Sequence, residues 1–494
     1  MARDDYGIPL RAPLLAVASL GKAPGTFVAA DGAASGPTRL QGLVAALIGV
    51  LLVAGACWRT GETLHLLHVL GLLVFGGAAI GRGLAIAAAR RPPPISRLSE
   101  AELPSYTVIV PLYREAQMVA SLLHALGALD YPRERLQILI VLEADDAETA
   151  AALDRHPQPG VRPVIAPRGH PRTKPRACNI ALQQATGRHV VVYDAEDRPH
   201  PLQLREAAAR FARGDRRLAC LQAPLRIAGG SSFLSRQFAL EYAAQFEVLL
   251  PTLARIGAPF PLGGTSNHFR TDVLRAVGGW DAWNVTEDAD LGFRLAAHGW
   301  RSGTLRTPTW ESAPTAYRDW RPQRARWGKG YMQTWGVHMR EPGRGGIGRL
   351  LALQATTGLA IVSAMMHAPL LLWVIGQGAW AIMTGRSLMD PADLALLLGG
   401  WGGAILAMAV GARRAGLRMR CRDGLLAPLS WALQSTAAAQ ASWQLLTRPH
   451  HWDKTRHQPP ADRGVSAVLA EANDGPDADG ELDAEGAASV RRVA

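Results

Sequence analysis

Two long apolar runs precede a polar, alternating middle region and two more follow it, an arrangement that constrains the fold more than any other feature of the chain. Leu43–Trp58 and Leu64–Gly81 contain no Lys, Arg, Asp or Glu, and each approaches the roughly 20 residues a helix needs to cross a bilayer. Only Arg59-Thr-Gly-Glu62 separates them, enough for a tight turn. Arg82 falls near the end of the second run, where its side chain can snorkel; at mid-bilayer it would cost roughly 3 kcal/mol. Arg90 and Arg91 follow at once, and basic residues beside a span mark its cytoplasmic side. Residues 92–345 are therefore expected inside the cell. Further on, Leu350–Met383 is longer than one straight span and contains Pro369, which predicts a kinked helix or a span preceded by an interfacial turn. Leu394–Val410 is a clearer span. Beyond it Arg413, Arg414, Arg418, Arg420 and Arg422 should hold to an anionic inner leaflet, at roughly 1 kcal/mol each. Leu425–Leu446 carries Gln434, Gln440 and Gln444 and has basic flanks that include Arg448, Lys454 and Arg456. With both flanks cytoplasmic, it is expected to lie in the interface or re-enter without crossing.

The charge balance agrees. There are 53 Lys plus Arg and 41 Asp plus Glu, a net of 53 − 41 = +12, in 494 residues. Such an excess suits nucleic acid, an anionic membrane or an anionic substrate. Only 19% of residues are charged, however, below the roughly 25% of soluble domains, and the basic clusters flank apolar runs. Membrane is favoured and nucleic acid disfavoured. Cys57, Cys178, Cys220 and Cys421 lie far apart with no CxxC, so neither a disulfide framework nor a zinc site is implied. The first 38 residues lack a signal-peptide pattern and predict a flexible leader. The tail, 461–494, has seven acidic residues and no Lys or Arg between Gly464 and Val490, and predicts disorder.

Between the apolar groups, Thr107–Pro111, Leu136–Leu142 and His189–Tyr193 are short, nearly continuous apolar runs, as expected of strands buried on both faces of a parallel sheet. Ala116–Leu129 and Arg176–Ala185 read as intervening helices, so the alternation predicts a mostly parallel α/β sheet.

Four constellations carry chemistry. Tyr193-Asp-Ala-Glu-Asp-Arg-Pro199 closes an apolar strand, and ligands of open α/β sheets sit at strand carboxyl ends. Asp194, Glu196 and Asp197 repel one another there unless a hard divalent cation joins them with a diphosphate; an acidic turn capping the next helix is an equal competitor. Val285-Thr-Glu287-Asp288-Ala-Asp290 places paired acids at a helix start, where caps are common. Gln323-Arg324-Ala-Arg326-Trp327 offers guanidinium groups for a diphosphate and a flat ring for a sugar, against the alternative of a basic membrane-surface helix. Pro449-His-His-Trp452-Asp-Lys454-Thr455-Arg-His457 shows no regular metal spacing and reads alone as a juxtamembrane loop.

In this order the motifs resemble those of glycosyltransferase family 2, specifically its membrane-integrated processive synthases of the cellulose, curdlan and hyaluronan type, over roughly residues 100–460. The resemblance implies a GT-A-like, Rossmann-type catalytic domain at 92–345, set between spans at 39–91 and membrane and interfacial helices at 346–446. It implies nucleotide contacts from Tyr113 and Glu115, from Glu143 and Asp145, from Lys174 and from Asp194. Asp194-Ala-Glu196 stands at the DxD metal motif, with Asp197 able to share the ligand role, and a divalent metal (Mg or Mn) is implied. Thr286-Glu287-Asp288 stands at the TED motif, with Asp288 as the catalytic base beside Glu287. Gln323, Arg324, Arg326 and Trp327 stand at Q(Q/R)xRW, which engages acceptor and diphosphate. Residues 447–460 resemble a gating loop, with Trp452, Lys454 and Thr455 as its contacts. Two departures stand out: Glu196 replaces the usual Asp, and the second acidic motif has an ambiguous register among Glu143, Asp145 and Asp146.

The implied activity is inverting transfer from a nucleotide-diphosphate sugar, a UDP-sugar in the first place, to a growing polysaccharide at the inner membrane, coupled to export. A multi-pass chain of about three to five crossings makes a thin channel wall, so a second copy or an export partner is expected to complete it. Single transfer to a lipid-linked acceptor is the alternative within enzymes. A transporter or scaffold with a degenerate nucleotide-binding domain is the alternative outside them.

Overall fold

The computed structural model describes residues 32–228, 232–386 and 389–452. Four of its helices are long and apolar enough to cross a membrane: Arg39–Trp58, Thr60–Ala88, Gly346–Thr384 and Pro391–Arg414. The first starts where Thr38 caps it. The Thr38 side chain accepts from the Gln41 N–H, and the Gln41 side chain returns to the Thr38 N–H. The described end of the expected leader makes contacts with the rest of the chain. Ala33 N–H donates to Asp281 at 2.6 Å, and Arg340 holds the Gly32 and Gly36 carbonyls at 3.0 and 2.5 Å.

Pro369 lies inside the long third helix, where it has no N–H to give to the backbone ladder, and a neighbouring side chain joins the ladder beside it. The Ser435 hydroxyl enters the backbone ladder, accepting from Ala368 N–H at 3.0 Å and donating to the Ala364 carbonyl at 2.6 Å. Ser435 belongs to helix Ala427–Thr447, which is not among the four span-like helices. Ala437 and Ala441 of that helix pack on Ala325 of the catalytic domain.

Among the described residues ten strands make two sheets. β1 (Tyr106–Leu112), β2 (Leu136–Glu143), β3 (Val161–Ala166), β4 (His189–Val192), β6 (Leu218–Gln222), β8 (Asn267–Arg270) and β9 (Arg301–Thr304) form the larger, in the order β3-β2-β1-β4-β8-β6-β9. β5 (Arg198–Pro199), β7 (Leu225–Ile227) and β10 (Thr309–Glu311) form the smaller, in the order β5-β10-β7, which sequence patterning does not foretell. In the larger sheet only the pairings of β8 are antiparallel. The continuous apolar character of β1 and β2 has the anticipated cause. Val108, Val110, Ile138 and Ile140 pack into one core, while Ile109, Leu139 and Val141 pack into the core on the opposite face.

A span-like helix and a helix of the sheet-bearing part meet at a glycine. A Cβ on Gly411, near the end of Pro391–Arg414, would lie 2.4 Å from the Ala243 backbone. Only glycine lets the two helices approach so closely there. Ala243 lies in the last turn of helix Phe233–Ala244, which continues through a π-helical turn, Gln245–Leu249, into Leu250–Arg255.

Candidate active site

A cavity of about 510 Å³ opens at the carboxyl ends of β1, β2 and β4, the usual ligand position of such a sheet. Tyr113 and Glu115 follow β1, and the turn between them needs Arg114 at φ 54°. Asp146 accepts from the Arg114 N–H and from Thr149 N–H at 3.2 Å, so it caps helix Ala147–Asp154 and secures the turn. Of the three acids, Glu143 lines the cavity, Asp145 pairs with Arg172 of the cavity wall, and Asp146 caps the helix. Arg172 donates to Asp145 at 2.8 Å and to the Tyr113 hydroxyl at 3.1 Å, and Arg176 lies 3.6 Å from Glu143. Burial raises the Glu143 carboxyl above its ordinary value, against the pull of Arg176. Arg172 escaped the sequence reading; its signal is its place two residues before Lys174.

Lys174 begins helix Lys174–Gln184, whose N-terminus faces the cavity. Its ammonium pairs with Asp194 and donates to the Gly264 carbonyl at 2.6 Å. Burial opposes its charge, but Asp194 and Glu287 more than offset this, and its pKa is raised. Opposite stand Glu287 and Asp288, the first residues of helix Glu287–Ala297. Burial and the neighbouring Asp288 push Glu287 up to about 8. Burial also raises Asp288, whose Oδ1 is buried without a hydrogen-bond partner. Gly264 leaves room in front of it, since a Cβ there would come within 3.4 Å of Asp288 Oδ2. Asp290 serves a different purpose. It binds Arg294 and lies 3.0 Å from His338, which pins the helix.

The loop carrying Thr286 is positioned by helix Tyr317–His338. Gln333 accepts from Val285 N–H at 3.1 Å, and Thr334 accepts from Asn284 at 3.0 Å. The helix reaches this loop because residue 330 is glycine; a Cβ there would strike the Thr286 side chain at 2.3 Å. From the same helix Gln323, Arg326 and Trp327 line the cavity. Arg326 donates to the Val285 carbonyl at 3.4 Å and lies 4.5 Å from the Trp452 ring centre. Arg324, expected on the diphosphate, is placed elsewhere. It pairs with Glu241 at 2.7 Å and stacks on Phe238 and Trp327 at 4.6 and 5.0 Å, outside the cavity wall. The physical reason is helical pitch: about 200° separates residues two apart, so Arg324 and Arg326 face opposite ways.

Asp197 also departs from expectation. It is fully buried, accepting from Asp194 N–H at 2.7 Å and from the Thr265 hydroxyl, and it closes the turn instead of lining the cavity. Burial and its acidic neighbours raise its pKa far above the ordinary value. Glu311 on β10 was missed, since nothing local marks a Trp-Glu-Ser strand as part of a site. It lines the cavity with Oε1 unpartnered, and burial with Asp197, Glu196 and Asp194 pushes it well up. Phe238, Tyr242 and Phe246 supply an aromatic wall next to Trp327, with Tyr242 and Trp327 stacked at 6.3 Å.

Residues 449–452 strap the cavity. Lys329 donates to the His451 carbonyl at 2.7 Å, Gln333 to the Pro449 carbonyl at 3.0 Å, and His450 meets the Trp283 carbonyl at 2.9 Å. Lys454 and Thr455 lie outside the described residues.

Among the described residues no three acidic, His or Cys side chains converge as a ready-made metal site. The wall nevertheless fits a cation that a ligand helps to hold. Asp194, Glu196, Glu287, Asp288 and Glu311 face the cavity against the cations Lys174 and Arg326 at this acidic end, and the orphaned oxygens of Asp288 and Glu311 are acceptors in want of a donor or cation.

Residues 107–266 match the family described as Glycosyl transferase family 2, and residues 189–410 match Glycosyl transferase family group 2. The chain carries a glycosyltransferase family 2 domain. The chain is 28% identical over 315 residues to Beta-monoglucosyldiacylglycerol synthase of Synechocystis sp. (strain ATCC 27184 / PCC 6803 / Kazusa), covering 59% of this chain and 64% of that protein. It is 25% identical over 247 residues to Glucomannan 4-beta-mannosyltransferase 2 of Arabidopsis thaliana, covering 47% and 45%. It thus spans less than two thirds of the length of either relative. The mannosyltransferase PcManGT from Pyrobaculum calidifontis, solved with GDP-Man and Mn2+, superposes with a TM-score of 0.50 at 20% identity, over 76% of this chain and 97% of that one. That likeness shows the GT-A-like α/β fold of the family 2 domain.

Proposed function

We propose that the protein transfers a sugar, with inversion, from a nucleotide-diphosphate sugar to a hydroxyl presented at the cytoplasmic face of the inner membrane. One observation carries this reading. Asp288, with an orphaned buried oxygen, faces the cations Lys174 and Arg326 in a single cavity at the strand carboxyl ends.

Tyr113 and Arg172 provide an aromatic face and a guanidinium at the mouth for the nucleotide, with Glu143 and Asp145 beside them. Lys174 and Arg326 meet the diphosphate, whose charge grows as the sugar–phosphate bond breaks. The N-terminus of helix Lys174–Gln184 adds its partial positive charge. Asp288 accepts the proton of the attacking hydroxyl, a role worth roughly 10²- to 10⁴-fold. Its upward-shifted pKa suits it, because a carboxylate so raised holds a proton more readily than an ordinary one. Trp327 and Tyr242 set the acceptor's attack angle, an orientation effect. A divalent ion held by Asp194 and Glu196 together with the donor would supply further neutralisation of the leaving diphosphate.

Extension of a polysaccharide is the reading that the Gln323–Trp327 segment favours, with the aromatic wall as a surface for a preceding sugar. Single transfer to a lipid uses the same donor site and differs in what enters beside Phe238 and Tyr242. Purified protein offered a panel of nucleotide sugars should release nucleoside diphosphate from one of them, and the size of the labelled product separates the two acceptors. Asp288→Asn should lower transfer by about 10³-fold while donor affinity stays within a factor of about three. Retained turnover would overturn the assignment.

A further inference from the structure

The cytoplasmic ends of helices Thr60–Ala88 and Pro391–Arg414 meet in an open groove lined by Arg90, Arg91, Arg413, Arg414 and Gly416. Of these four guanidinium groups Arg91 lies 3.5 Å from the Glu247 carboxylate, which is also claimed by Arg226 at 2.7 Å. Arg414 is fixed by the carbonyls of Glu247 and Ala89 at 2.9 and 2.6 Å, and Arg91 donates to the Arg414 carbonyl. Arg90 and Arg413 are exposed. Two fixed and two exposed guanidinium groups suit the oxygens of a phosphate, which Arg binds through paired donors. The two helices that form the groove carry outward-facing apolar side chains such as Leu84 and Leu406, 65% and 52% exposed. A ligand with a phosphate head and acyl chains matches both features.

Glu247 belongs to the π-helical turn Gln245–Leu249, and its neighbours Gln245 and Phe246 line the active-site cavity. π-Helical turns concentrate at functional positions. The groove and the cavity therefore lie on opposite sides of one short segment.

We propose that this groove is a binding site for the phosphate headgroup of an anionic membrane lipid, which braces the Gln245–Leu249 turn through Arg91, Arg414 and Glu247. The site goes beyond the sugar chemistry and does not depend on it. Full-length protein in detergent, titrated with short-chain phosphatidylglycerol, should bind it about tenfold or more tightly than phosphatidylcholine. R90Q/R413Q should lose that preference, whereas R418Q/R422Q, with the same change in net charge, should keep it. Phosphatidylglycerol should also slow amide exchange across 245–249 in the wild type and leave R90Q/R413Q unchanged. Equal binding of the two lipids, or equal loss in both double variants, would overturn the site. Displacement of phosphatidylglycerol by inorganic phosphate at matching concentration would show that the groove takes free phosphate, and would overturn the lipid assignment. Unchanged exchange across 245–249 would refute the bracing.

Discussion

Arg326 and Arg324 stand two residues apart in one basic motif, yet they face different chemistry. Arg326 lies in the acidic cavity under Trp452, whereas Arg324 sits among Phe238, Trp327 and Glu241. Substituting Arg326 by Gln should weaken nucleoside diphosphate binding by about tenfold or more. Arg324→Gln should leave that affinity nearly unchanged and lower thermal stability instead; calorimetric titration beside a melting curve separates the two. The Glu287–Asp288 pair makes a second prediction at this scale. A general base works deprotonated, and burial raises both groups, Glu287 to about 8. Transfer rate should therefore still climb above about pH 5, where an ordinary carboxylate would already have reached its plateau. A profile already flat above about pH 5 would count against Asp288 as base.

Helix Tyr317–His338 is the element on which the site turns. It carries Gln323, Arg326 and Trp327 into the cavity, fixes the Thr286 loop through Gln333 and Thr334, and receives the 449–452 strap on Lys329 and Gln333. Gly330 permits the closest approach of this helix to that loop. Gly330→Ala would force Thr286 aside, at a cost typical of overpacking, about 1–3 kcal/mol. The expected outcome is a folded protein whose transfer rate falls by about 10²-fold, because the displaced loop leads directly to Asp288. Activity equal to wild type at matched folded fraction would refute this coupling. The helix is legible in sequence as a basic, tryptophan-bearing segment. Its contact with residues 284–286 is not, since the partners lie some 45–50 positions apart.

Across the whole molecule the sheet core holds two histidines with no counterpart in the site. His189 on β4 and His268 on β8 are nearly fully buried, and burial holds each down at about 3. His268 lies 2.7 Å from the Tyr106 hydroxyl and 3.1 Å from Gln203, partners that suit a neutral ring, while His189 stacks on Phe211 at 4.4 Å. An unfolded histidine binds a proton below about pH 6.5, and these bind one in the folded state only near 3. Between those values the unfolded chain holds more protons, so stability is complete above about pH 6.5 and declines as pH falls. At pH 5 the loss is about 2 kcal/mol per histidine. The melting temperature of the purified protein should drop on acidification from pH 7 to 5, and His189→Phe should reduce the slope. The net charge of +12 is spread over the chain: residues 92–345 hold 32 of the 53 Lys plus Arg and 25 of the 41 Asp plus Glu, a net of 32 − 25 = +7, and further arginines flank the span-like helices.

Hydrophobic period and turn chemistry act locally, so the β1, β2 and β4 strands can be read from the sequence to within a residue, and the span-like helices as apolar runs whose helices extend up to seven residues beyond them. The sequence also determined which short acidic and basic segments would matter, because clustered like charges are unfavourable without a ligand or counter-ion. Tertiary structure decided which member of each cluster faces the cavity. Asp194 and Glu196 line it while Asp197 closes the turn, Asp288 faces it while Asp290 holds Arg294, and Arg326 enters while Arg324 leaves. Tertiary structure alone brought in Glu311 and Arg172, and joined the arginine groove to the cavity wall through Glu247. Neighbouring residues share a composition but point in different directions, and only the packing of distant elements determines what each one meets.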